Sequence, residues 1–279
     1  MQRLKGFFKR AFRYIVKGQP EVIVKVQTAS VTSGAILSGK HILITGGTRG
    51  LGYAIAKRCL EEGAFVSITG RSQEGLQKAK EELGNPEKLF TIVHDVTDTT
   101  RDESVIAEAA SKMKGLDTLV NNAGISIHGI DYLTCSEKQW DAQMDTNLKG
   151  VYFMTQAFLR FFLKKGTLGG NIIIMTSERA LYGDDVPYGL AKRALISYTE
   201  GLAVRLINKG IRVNAIAPGV TATDMTGYSA EGNLYRRWAR GKRVLLAEEI
   251  AETAVFLISD VSSSISGQVI ACNEANHLK

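Results

Sequence analysis

Seven apolar runs of strand length recur along the chain: HILIT (41–45), FVSIT (65–69), LFTIV (89–93), DTLVN (117–121), NIIIMT (171–176), IRVNAIA (211–217) and GQVIA (267–271). Longer amphipathic, helix-like stretches separate them, at 50–62, 73–83, 101–114, 141–165, 188–209 and 247–259. Strands that are apolar nearly throughout must be covered on both faces, and regular strand–helix alternation supplies that cover. The pattern predicts an α/β fold: one doubly wound parallel sheet of Rossmann type with helices on both faces. A chain of 279 residues is enough for one such domain with a full core. Residues 39–279 form the predicted domain, and residues 1–38 stand outside the alternation as an extension.

Composition narrows the classes. Cys59, Cys135 and Cys272 are odd in number and far apart, with no metal-type spacing, so a reduced cytoplasmic chain without a metal site is expected. No apolar stretch approaches the roughly 18 residues of a membrane span, and basic residues interrupt the N-terminal apolar positions where a cleavable signal would need continuity. The net charge of +7 is concentrated: Arg3, Lys5, Lys9, Arg10, Arg13 and Lys17 carry +6, leaving +1 for the other 262 residues. A general nucleic-acid-binding surface is therefore not expected.

The first predicted strand runs into TGGTRGLG (45–52), a glycine-rich turn that opens a helix. Glycine permits a tight turn and close backbone approach, and the helix N-terminus favours an anion, so this context suits a pyrophosphate. Further polar motifs fall at the carboxyl ends of other predicted strands: HDV (94–96), NNAG (121–124), Ser177 followed by YGLAK (188–192), and PG (218–219). Open α/β sheets bind ligands on that side.

In this order, TGGTRGLG, NNAG, YGLAK and APGVTATDM resemble the short-chain dehydrogenase/reductase family, over about Ser38 to Ala271. The likeness is greatest to 3-oxoacyl-acyl-carrier-protein reductases. The resemblance implies an oxidoreductase that moves a hydride between a nicotinamide and a carbonyl or secondary alcohol, and a homotetramer or homodimer. It implies a cofactor-binding set of Gly46, Thr48, Arg49, Gly50, Leu51 and Gly52 in the loop, Asp95 and Val96 at the adenine, and Asn122, Ala123 and Gly124 after the fourth strand. Pro218, Gly219, Val220 and Thr223 complete it, with Tyr188 and Lys192. The implied catalytic set is Asn147, Ser177, Tyr188 and Lys192, with Asn147 supporting a water relay to the lysine.

Residue chemistry agrees. Tyr188 and Lys192 at i, i+4 share one helix face. A nearby cation favours phenolate, so the pair is expected to bring the tyrosine towards the working pH as general acid or base. Ser177 can hydrogen-bond a substrate oxygen as charge develops. After the second strand, where an NAD-preferring enzyme places a carboxylate, the sequence reads TGRS. Arg71 there and Arg49 in the loop suit a 2′-phosphate, so NADP(H) is the expected cofactor.

Two features depart from the family. Ser177 and Tyr188 are 11 positions apart, about two fewer than usual, which shortens an acidic connection, ERALYGDDVP. ACNEANHLK replaces the common glycine-rich ending. These departures keep open a second reading, an NADP(H)-binding regulatory or scaffold protein without turnover. A sugar-nucleotide epimerase or dehydratase conflicts with the loop spacing.

Residues 224–243 should cover the substrate. Arg236, Arg237, Arg240, Lys242 and Arg243 flank Trp238, which fits a carrier-linked or otherwise anionic substrate, although a solvated face explains the same residues. In residues 1–18, apolar positions 4, 7, 8, 11, 12, 15 and 16 form one stripe opposite the basic residues. Such a helix can lie on an anionic membrane face or dock on protein. The alternating EVIVKVQ (21–27) suggests a short edge strand.

Overall fold

A computed structural model describes residues 34–166 and 169–278, together with Ile23. The amphipathic stripe of residues 1–18 and the edge strand at 21–27 thus lie outside the described residues, Ile23 apart. The rest is a single sheet of seven parallel strands in the order β3-β2-β1-β4-β5-β6-β7. The strands are β1 (His41–Ile44), β2 (Phe65–Gly70), β3 (Leu89–Val93), β4 (Thr118–Asn121), β5 (Asn171–Met175), β6 (Arg212–Pro218) and β7 (Val269–Cys272). Each coincides with one of the seven apolar runs. The chain winds outward from β1 through β2 to β3, then returns to β4 on the other side of β1, where register pairs Ile44 with both Ile68 and Val120. The direction of winding reverses between β1 and β4, the place at which open α/β sheets bind ligands beyond the carboxyl ends of their strands.

Side chains alternate between the faces of a strand, and two cores result. Ile42, Ile44, Val120 and Ile173 meet Ile55 and Cys59 of α1 (Gly50–Glu61), Leu76 of α2 (Gln73–Glu82) and Ile250 of α7 (Ala247–Ile258) on one face. On the other, Leu43, Leu119, Ile172 and Ile174 meet Ile106 of α3 (Asp102–Met113), Phe158 and Phe162 of α5 (Gly150–Lys165) and Leu195 of α6 (Pro187–Leu206). Packing reaches back beyond the predicted boundary at residue 39. Leu37 is fully buried, and the Ala35 and Ile36 N–H groups donate to the buried Glu62 carboxylate at 3.0 and 3.1 Å.

The helix expected at 141–165 starts earlier and is not continuous. Its first part, α4 (Glu137–Met144), begins in a capping box in which Ser136 and Gln139 satisfy each other's backbone N–H. A π-helical turn, Asp145–Lys149, then joins α4 to α5. The apolar pattern over 141–165 does not single it out, because it is confined to one turn within a longer helical stretch.

Candidate active site

Four elements bring the catalytic candidates together. The π-turn carries the buried Asn147, whose amide clasps one backbone unit: Oδ1 accepts from the Ile125 N–H (3.0 Å) and Nδ2 donates to Ile125 O (2.8 Å). Gly124 is where a Cβ would stand 2.8 Å from Asn147 Oδ1 and 3.5 Å from Lys192 Nζ, so the asparagine and lysine close on the NNAG backbone. Ser177 follows β5 in extended conformation; its hydroxyl accepts from the Arg179 N–H at 3.3 Å and stands near enough to the Tyr188 phenol to oppose the rise in its pKa. Tyr188 and Lys192 sit in the first turns of α6, whose start is fixed by Pro187 at a helix N-terminal position, where its missing N–H costs nothing.

Lys192 is almost fully buried and donates from Nζ to Met175 O at 2.9 Å; that nitrogen lies 5.8 Å from the centre of the Tyr188 ring. Burial pulls its ammonium down to about 8. The expected effect on the tyrosine is reversed here. Burial pushes the Tyr188 phenol above its ordinary range, opposed by the neighbouring Ser177 hydroxyl and the charge of Arg179 and reinforced by Asp184 and Glu178. A protonated phenol is thus the resting form, the form a general acid needs.

The shortened connection closes because its charges pair internally. Arg179 holds Asp184 through Nε (2.5 Å) and a terminal nitrogen (2.7 Å), and Asp184 also accepts from the Val186 N–H (3.2 Å) just ahead of α6. Asp184 packs over Gly189, where any Cβ would overlap its carboxylate.

The glycine turn follows β1, where the winding reverses. Gly46 and Gly50 have φ of +67° and +56°, and a Cβ on Gly52 would overlap Gly46 O and Asn122 Nδ2. That close approach lets Asn122 Nδ2 donate to Thr45 O (2.9 Å) and Gly46 O (3.0 Å), while Thr45 Oγ1 accepts from the Asn122 and Ala123 N–H groups (3.0 and 3.1 Å). Leu51 packs on the core and Thr48 lies over Gly70 at the end of β2. The α2 N-terminus is capped by Ser72 and that of α4 by Ser136, whereas α1 has no side-chain cap and no acidic residue in its first turn. Its free N–H groups at a glycine turn fit a diphosphate.

Around this turn, Arg71 is exposed beside Asp95. Burial would raise the Asp95 carboxyl, but the Thr97 N–H (3.0 Å) and hydroxyl (2.8 Å), with the charges of Arg71 and His94, hold it below its usual range. Val96 is buried against Gly150. Arg49 is exposed and reaches Asp224 at 3.5 Å. Pro218 ends β6; Gly219 donates its N–H to Cys272 O (2.9 Å), Val220 accepts from the Leu245 N–H (2.9 Å), and Thr223 faces Gly50.

The segment expected to cover the substrate packs around its own small core of Ala222, Leu234, Val244 and Leu246. Its five cations separate into two kinds. Arg243 is structural, bidentate to Glu249 (both 2.7 Å) and paired with Glu274 (2.6 Å). Arg236, Arg237, Arg240 and Lys242 form no ion pair among the described residues, and Arg237 stacks 5.1 Å from the ring centre of the exposed Trp238. A buried group beside the site that no motif marks is Glu178, next to Ser177, which accepts from Asn273 and Asn276 of the tail. Its only local signal was an acid at the end of an apolar strand.

The chain is also similar to known proteins. Residues 46–274 match a family model described as enoyl-(acyl carrier protein) reductase. The chain belongs to the short-chain dehydrogenase/reductase family. It is 36% identical over 244 residues to the 3-oxoacyl-[acyl-carrier-protein] reductase of Chlamydia trachomatis, covering 85% of this chain and 96% of that one. It is 33% identical over 247 residues to a 3alpha-hydroxysteroid dehydrogenase of Mediterraneibacter gnavus, covering 86% of this chain and 98% of that one. The structure of a 3-ketoacyl-(acyl-carrier-protein) reductase from Brucella melitensis, complexed with NADH, superposes with a TM-score of 0.80 at 27% identity, over 87% of this chain and 100% of the other. Membership makes the protein an oxidoreductase.

Proposed function

We propose that this protein is an NADPH-dependent carbonyl reductase in which Tyr188 is the general acid. The observation that carries the reading is the placement of Tyr188, with Lys192 Nζ 5.8 Å from its ring centre on the same helix and Ser177 beside its phenol at the end of β5. When bound, the nicotinamide cofactor supplies a hydride to the carbonyl carbon. Ser177 orients the carbonyl oxygen, and Tyr188 gives it the proton as negative charge grows there. Lys192, already poised near pH 8 by burial, favours the phenolate left behind. Asn147 holds the Ile125 backbone beside the lysine and keeps the relay's geometry.

The cofactor would lie along the carboxyl ends of the strands, its diphosphate on the α1 N-terminus and glycine turn (Gly46, Thr48, Gly50, Leu51, Gly52), its adenine by Asp95 and Val96. Asn122, Ala123, Gly124, Pro218, Gly219, Val220 and Thr223 would line the nicotinamide side. Arg71, exposed and with no carboxylate at the same strand end, supports the phosphorylated cofactor; Arg49 is available if its exposed pairing with Asp224 yields. The four unpaired cations beside Trp238 support an acyl group delivered on an anionic carrier, the substrate type in the names of several relatives. A homo-oligomer in the cytoplasm completes the reading, with the free cysteines in keeping with a reducing compartment. The test is turnover of NADPH and NADH by the purified protein against acyl-thioester, ketone and keto-sugar panels. Reduction of a carbonyl with preference for NADPH is expected, and no turnover with any panel overturns the proposal.

A further inference from the structure

Glu178 is a buried carboxylate that forms no ion pair among the described residues; what meets it is a pair of neutral amides. It directly follows Ser177, on the 3₁₀ turn Glu178–Leu181. Its Oε2 accepts from Asn276 Nδ2 at 3.0 Å and Asn273 Nδ2 at 3.3 Å, both from the C-terminal tail. The same Asn276 amide turns its Oδ1 to the Arg240 N–H at 3.3 Å. One side chain therefore joins the turn that follows the serine to the basic segment. Glu274 adds a second tie, its ion pair to Arg243. The tail takes an unfavourable path to reach these contacts: Glu274 and Ala275 adopt φ of +49° and +61°, and side-chain-bearing residues persist there only where surrounding contacts impose it.

We infer that Asn276 and Glu178 are positioning residues, which couple the placement of residues 236–243 over the site to the placement of Ser177. Neither touches the reacting atoms. The inference rests on Ser177 and Tyr188 being the reacting pair, and its chemistry explains why the tail departs from a glycine-rich ending. Two amides satisfy a buried carboxylate without neutralising it, and an amide alone can donate to the turn and accept from the segment at once. Burying an acid is tolerated only while those donors remain.

The test uses the full chain with Asn276→Asp, Glu178→Gln and both together. Asn276→Asp sets two carboxylates against each other. It should lower kcat about tenfold or more, as small misplacements of reacting groups do, with cofactor affinity unchanged. Tryptic cleavage after Arg236, Arg237 and Arg240 should accelerate. Adding Glu178→Gln restores one amide–carboxylate bond with donor and acceptor exchanged, and both kcat and protease resistance should recover. Asn276→Ala removes the bridge without adding charge and should show both changes at smaller size, which covers the case in which Asn276→Asp does not fold. Wild-type kcat and cleavage in Asn276→Ala, or a double variant no better than Asn276→Asp, overturns the inference. If the wild-type protein reduces no carbonyl, the proposed function fails, while the cleavage pattern still decides whether the tail holds the segment.

Discussion

At the scale of single residues, the site rests on a buried lysine and a half-buried tyrosine. Replacing Tyr188 by Phe removes only the transferable proton, so kcat should fall by roughly 10²–10⁴-fold with cofactor affinity unchanged; steady-state turnover and cofactor titration check this. Lys192 works at the expense of stability. Burial lowers its pKa from 10.5 to about 8, so folding disfavours its charged form. Between about pH 8 and 10.5 the unfolded chain binds more protons than the folded one. This group therefore makes the cofactor-free protein more stable as pH rises through that window, and costs stability below it. Lys192→Met should stabilise the cofactor-free protein at neutral pH by about 1–3 kcal/mol, after allowing for the lost bond to Met175 O, while abolishing turnover. Denaturant unfolding at several pH values measures it. Arg71→Asp should repel a 2′-phosphate and offer a ribose hydroxyl an acceptor, shifting the NADP-to-NAD preference by roughly 10- to 150-fold. Equal dissociation-constant ratios in the two proteins would make Arg71 a surface charge only.

At the scale of elements, glycine separates turns that need it from helices that do not. A Cβ on Gly52 would strike Gly46 O and the Asn122 amide, so Gly52→Ala should spread the turn, cost about 1–3 kcal/mol and weaken cofactor binding. Gly201 lies within α6 with open space around its missing Cβ, and Gly201→Ala should stabilise by about 0.5–1 kcal/mol with activity intact. Thermal unfolding of both variants distinguishes the cases. The turn was legible because glycine spacing is a local signal between a strand and a helix. The π-turn that presents Asn147 was not: one inserted residue defines it, and its reward is the long-range clasp on Ile125.

At the scale of the whole molecule, chemistry and charge are segregated along the chain. The candidate catalytic set begins well after residues 1–18, whose six cations carry nearly all of the net charge. Deleting residues 1–18 should leave turnover intact and abolish co-sedimentation with anionic vesicles, which should itself weaken with salt. Indifference of the intact protein to such vesicles, or dissociation of an oligomer on deletion, would make the stripe a packing face. The seven strands, their parallel direction and the positions of Ser177, Tyr188 and Lys192 were determined by sequence alone, because periodicity, glycine spacing and an i, i+4 pair are local properties. Only the tertiary structure decided what each charge meets. It paired Arg243 with Glu249 and Glu274, left Arg236, Arg237, Arg240 and Lys242 without acid partners among the described residues, and buried Glu178 against two tail amides. It also raised the Tyr188 phenol where sequence suggested the reverse. Desolvation and pairing depend on neighbours as distant in sequence as Glu178 and Asn276, and no local pattern encodes them.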